Sequence, residues 1–78
     1  MIIIFSYNRR EMLAETVKPL KHEKHIIIDD GSDYKDLLPN TIRIEHQGRE
    51  GFLNIFNFAF ELCEETDDDF FMFMADDF

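Results

Sequence analysis

Two aspartate pairs stand at the ends of apolar runs: Asp29-Asp30 after Ile26-Ile27-Ile28, and Asp76-Asp77 after Phe70-Phe71-Met72-Phe73-Met74-Ala75. Adjacent carboxylates repel unless a proton or a cation neutralises them. A hard divalent ion, Mn²⁺ or Mg²⁺, takes carboxylate oxygens together with phosphate oxygens of a ligand, so Asp76-Asp77 reads as a candidate metal position. The plainer reading is an acidic chain end. Asp29-Asp30 runs into Gly31-Ser32, the composition of a strand exit with a turn. A carboxylate there also accepts a hydrogen bond from a ligand N–H, such as the imide of uracil, and glycine lets a ligand approach the backbone. Arg9, Arg10 and Arg49 are candidate phosphate or base contacts. Tyr7 is either an aromatic platform for a base or a packed loop residue.

Other chemistry is disfavoured by composition. His22, His25 and His46 are unevenly spaced and have no cysteine companions, which argues against zinc. Gly48 and Gly51 are not followed by the Gly-Lys-Ser/Thr of a phosphate loop. The chain carries 17 acidic and 8 basic residues, a net charge of −9, with no Lys or Arg from Glu61 onward. A nucleic-acid partner requires clustered cations and is not expected. Glu64, Glu65 and Asp67 to Asp69 read as a solvated helix end and loop. Cys63, the only cysteine, sits at helical spacing from Phe56, Ala59 and Phe60 and reads as a small core residue. The start, Met1-Ile2-Ile3-Ile4-Phe5, has neither a basic leader nor the length of a membrane span, so a cytoplasmic protein is expected.

These groups must be positioned by a small scaffold. With 78 residues, 45% apolar content and nine phenylalanines, residues 1–78 read as a single globular domain, burying roughly 60% of the surface its unfolded chain exposes. Residues 2–5 are an all-apolar, β-branched run, a strand covered on both faces. Asn8 with Glu11 three residues on has the spacing of a capping box. Met12, Leu13, Thr16, Val17 and Leu20 continue at helical spacing until Pro19 limits the ladder. Residues 25–28 form strand two. Residues 31–40 are turn-rich, with one helical turn expected around Tyr34 to Leu38. Ile42 and Ile44 alternate within residues 41–45, the pattern of an edge strand. A helix is expected over 52–65, with Phe52, Phe56, Ala59 and Cys63 on one face and Ile55, Phe60 and Leu62 widening it. Residues 70–74 form the last strand.

Strand, helix, strand, turn region, strand, helix, strand is the alternation of an α/β fold. The expected architecture is a three-layer, Rossmann-like, open and mainly parallel sheet with strand order 3-2-1-4. Its switch point would place Ser6-Tyr7-Asn8-Arg9 and Asp76-Asp77 around one crevice, with Asp29-Asp30 beside it.

In their order, Ile3-Ile4-Phe5-Ser6-Tyr7-Asn8-Arg9, then Ile26-Ile27-Ile28-Asp29-Asp30-Gly31-Ser32, then Gly51 with Asn57, then Phe73-Met74-Ala75-Asp76-Asp77, these segments resemble the nucleotide-binding half of family 2 glycosyltransferases of the GT-A fold. The resemblance implies a truncated GT-A domain that binds a nucleotide-sugar, a UDP-sugar first of all. It implies that Phe5, Ser6, Tyr7 and Arg9 wall the base and ribose, that Asp30 accepts from the uracil N3–H while Asp29 shapes the turn, and that Asp76 approaches the ribose or sugar. Asp77 would bind the Mn²⁺ or Mg²⁺ that bridges the diphosphate in a DXD-like motif, whose first place here is Ala75. The acceptor half and the general base would lie outside this chain. A noncatalytic nucleotide-binding or interaction module is the alternative, and a nucleotidyltransferase fold a weaker one. Phenylalanine-rich surface left uncovered would favour a homo-oligomer or a partner chain.

Overall fold

The computed structural model describes residues 1–66, 68 and 70–75. β1 (Ile2–Ser6) is followed by α1 (Arg10–Val17), a 3₁₀ turn (Lys18–Leu20), β2 (His25–Asp29), β3 (Thr41–Arg43), α2 (Phe52–Glu64) and β4 (Met72–Ala75). The strands form one sheet in the order β3-β2-β1-β4, and each neighbouring pair is parallel. The expected order and edge position of β3 are therefore observed, and the chain has an α/β fold.

Register and the two-residue period of the strands decide what faces each helix. Ile4 is level with Ile27 and Met74, and these pack with Leu13 and Val17 of α1. Ile3 is level with Ile26 and Phe73, and this opposite face packs on Ile55 and Ala59 of α2. Ile3, Ile4, Ile27, Ile28 and Ala59 are wholly buried, which is why β1 and β2 read as unbroken apolar runs: both of their faces are covered.

Four local expectations give way to tertiary contacts. The capping box does not form: Arg9 is the N-cap of α1 and no side chain among the described residues caps it. Asn8 instead takes a left-handed φ of 50°, which asparagine tolerates, and turns its carboxamide to the β2 exit. Residues 34–38 hold no helical turn. On α2 the buried centre is Ile55 and Ala59, whereas Phe52 and Phe60 are about half exposed. The heavier phenylalanine face lies to one side, where Phe56 meets Phe52 and Phe73 edge-on, Phe5 tilted and Phe60 stacked. The last strand begins at Met72, and Phe70 is left exposed. Cys63 packs partly buried against the α2 cluster, and burial pushes its thiol above the ordinary value.

Candidate functional site

Because all four strands are parallel, the loops leaving their carboxyl ends meet at one edge. The loops after β1, β2 and β3 surround a cavity of about 510 Å³, floored by Phe5 and Ile28 and closed on one side by Phe52 and Ile55 of α2. Ala75, the last residue of β4, also lines it.

The aspartates of β2 divide the work of building this edge. Asp29 is level with Ser6 and shares the strand face of Ile27 towards α1; the next residue, Asp30, turns to the α2 face, where the cavity lies. Asp29 is wholly buried. Its Oδ2 accepts from the Ser32 N–H at 3.0 Å and from Arg43 Nε at 2.6 Å. Its Oδ1 accepts from the Ser32 hydroxyl. Ser32 Oγ in turn accepts from the Asn8 N–H at 2.7 Å. The Asn8 carboxamide completes the clasp, with Oδ1 accepting from the Asp33 N–H at 2.7 Å and Nδ2 donating to Asp33 Oδ2 at 3.3 Å. Asp29 thus ties the loop after β1 to the exit of β2 and does not line the cavity.

Asp30 holds the loop after β3. Its Oδ1 accepts from the Gln47 N–H at 2.6 Å and its Oδ2 from the Gly48 N–H at 3.1 Å. His46 Nδ1 lies 2.9 Å from the Asp30 carbonyl and 3.2 Å from Oδ2. A carbonyl only accepts, so Nδ1 carries the hydrogen and Nε2 is left for other partners. The His46 ring stacks on Tyr7, with centroids 4.3 Å apart and planes at 22°, so the first and third loops also touch through aromatic faces. Gly31 makes this approach possible. Its φ is +69°, and a Cβ there would lie 2.7 Å from the His46 nitrogen.

Of the sequence candidates, Phe5, Ser6, Tyr7, Arg9 and Asp30 line this one cavity, as does Arg49. Arg10 turns away, with its guanidinium on the Asp36 carboxylate at 3.1 Å and the Asp36 carbonyl at 2.9 Å. Asp76 and Asp77 lie outside the described residues. Among the described residues no group of three or more His, Cys, Asp or Glu could hold a metal ion. His46 also lines the cavity, a place that its spacing from the other histidines does not indicate. The parallel order was the available signal, since it brings the loop after β3 to the same edge as Asp30.

No protein-family model, curated protein or solved structure matches the chain. No helix among the described residues is long and apolar enough to cross a membrane.

Proposed function

We propose that this chain is the donor-binding domain of a glycosyltransferase of the family 2, GT-A type, and that it recognises a nucleoside diphosphate sugar, a UDP-sugar first. The observation that carries this reading is the gathering of Phe5, Ser6, Tyr7, Arg9 and Asp30 around one cavity at the carboxyl edge of a parallel sheet. The Rossmann-like and GT-A assignments and a cytoplasmic location belong to the same proposal.

The side chains fit a nucleotide in kind. Tyr7, 41% exposed and backed by His46, offers a ring face to a base. Asp30 keeps 12% of its side chain exposed. A carboxylate has about four acceptor positions, so one imide N–H can be taken in addition to the backbone donors already bound. A divalent metal, Mn²⁺ or Mg²⁺, is proposed at Asp77, with Asp76 towards the ribose; when bound, such an ion supplies Lewis-acid stabilisation of the departing diphosphate. The described residues do not themselves furnish its ligand set.

Calorimetric titration of the purified chain with UDP and with GDP, each with and without Mn²⁺, tests the reading. UDP is expected to bind more tightly than GDP, and Asp30→Ala to abolish the preference. Failure of every nucleotide to bind, in either buffer, would sink it.

A further inference from the structure

The arginines of this molecule divide between ion pairs and the cavity. Of its four arginines, Arg10 is committed to Asp36 and Arg43 to Asp29. The guanidiniums of the other two, Arg9 and Arg49, have no hydrogen-bond or ion-pair partner among the described residues, and both residues line the cavity. They come from different loops, Arg9 from the one after β1 and Arg49 from the one after β3. The same loops are cross-linked through Tyr7 and His46 and through the aspartate clasps.

The one acidic residue lining the cavity among the described residues is Asp30, whose charge already receives two backbone N–H groups and faces His46. A dianion approaching a chain of net charge −9 is repelled at long range, so binding requires a locally positive site. Two guanidiniums that no described residue engages, on separate loops lining the cavity, meet that need, and each presents the planar donor fork that suits phosphate oxygens.

We infer that Arg9 and Arg49 form a two-sided clamp for a diphosphate, which holds the nucleotide without a divalent cation. The inference rests on the donor-binding reading for the nucleotide, but the clamp's own chemistry is that of any pyrophosphate-like dianion. Two charged contacts from separate loops also make the clamp sensitive to salt, since exposed charges are screened.

The test uses the whole chain and four probes: UDP, uridine, inorganic pyrophosphate and Mn²⁺. UDP is expected to bind in EDTA, with Mn²⁺ adding to the affinity but not required for it. Arg9→Gln and Arg49→Gln should each weaken UDP binding about tenfold, the range of one charged hydrogen bond, while uridine binding stays unchanged. Lys21→Gln, at an exposed position on the opposite edge of the sheet, makes the same change in net charge and should leave UDP affinity unaltered. Arg9 and Arg49 are exposed, so thermal unfolding of the variants should match the parent. Loss of UDP binding in EDTA, or arginine variants that bind UDP like the parent, would overturn the clamp. If no nucleotide binds at all, the donor reading falls and pyrophosphate decides: binding lost in both arginine variants sustains the clamp as an anion site, and no binding overturns it.

Discussion

Asp29→Asn is expected to cost a large part of the stability of this domain, although it changes one atom. The Oδ2 position receives both the Ser32 N–H at 3.0 Å and Arg43 Nε at 2.6 Å. If the amide nitrogen takes that place, it sets a donor against two donors; if it takes the other, it meets the Ser32 and Tyr34 hydroxyls and still removes the charge facing Arg43. Arg43 Nη2 is already buried without a partner among the described residues, so the buried side of a guanidinium that is 28% exposed would lose its counter-ion, which puts the loss at the lower end of the range for buried pairs. Breaking a buried pair on one side costs about 3–5 kcal/mol. The whole fold, at 78 residues, is expected to be worth about 4–12 kcal/mol. Urea unfolding followed by circular dichroism measures the difference. With a slope of about 1 kcal/mol per molar for a small domain, the midpoint should fall by about 3 M or the variant should be unfolded outright. The double variant Asp29→Asn/Arg43→Met should recover part of the loss, because removing both members of a buried pair can be close to neutral. A loss below about 1 kcal/mol is what an exposed pair gives, and it would refute the assignment of Asp29 as the anchor of the loops.

Three further outcomes test separate parts of the structure. Gly31→Ala should destabilise by at least about 1 kcal/mol, from its positive φ alone, and should also weaken UDP binding, because the added methyl meets the His46 backbone at 2.7 Å; normal binding in calorimetry would show that the His46 loop can move aside freely. Asp68 is held below the ordinary value of 3.8 by Lys24, 2.9 Å away, and by the terminal amine at 3.1 Å. Its folded-state pKa is depressed, so its contribution is complete above 3.8 and is lost as pH falls through the lower folded value; acid unfolding of Asp68→Asn should accordingly show a shallower dependence on pH in that window, and identical curves would contradict the pairing. Leu53, 76% exposed, and Phe60, 49% exposed, leave apolar side chains uncovered on α2, and we propose that a homo-oligomer or partner chain covers this surface; sedimentation should show association that Leu53→Glu reduces, and a chain that stays monomeric at all concentrations would exclude the homo-oligomer.

The sheet was legible in the sequence because its signals are redundant. Ile2 to Phe5 and Ile26 to Ile28 are runs with both faces buried, and alternation with helical segments leaves few topologies. Local capping chemistry was not legible at Asn8, since the spacing to Glu11 fits a capping box as well as it fits any loop asparagine. What decides between them is Ser32 and Asp33, more than twenty residues away. The weighting of the α2 face failed for a related reason. Helical spacing groups Phe52, Phe56, Ala59 and Cys63, but the small Ala59 and slender Ile55 are what fit against Ile3 and Ile28, and the larger rings are displaced to the margin.

The division between Asp29 and Asp30 follows from the strand period and determines how the site can respond to a ligand. One residue of offset sends the first carboxylate to the α1 face, where it is sealed, and the second to the α2 face, where it keeps some exposure. The sealed group holds the loop after β1, and the less deeply buried one holds the loop after β3. A ligand donor reaching Asp30 therefore shares its carboxylate with Gln47 and Gly48, and the loop that these residues belong to also carries Arg49. In the proposed clamp, base recognition at Asp30 and phosphate recognition at Arg49 act on the same short loop. Uridine and pyrophosphate should then bind more tightly together than their separate affinities predict, because the second ligand meets a loop the first has already ordered. Strictly independent binding of the two in paired titrations would mean that the loop is rigid beforehand and that Asp30 alone sets its position.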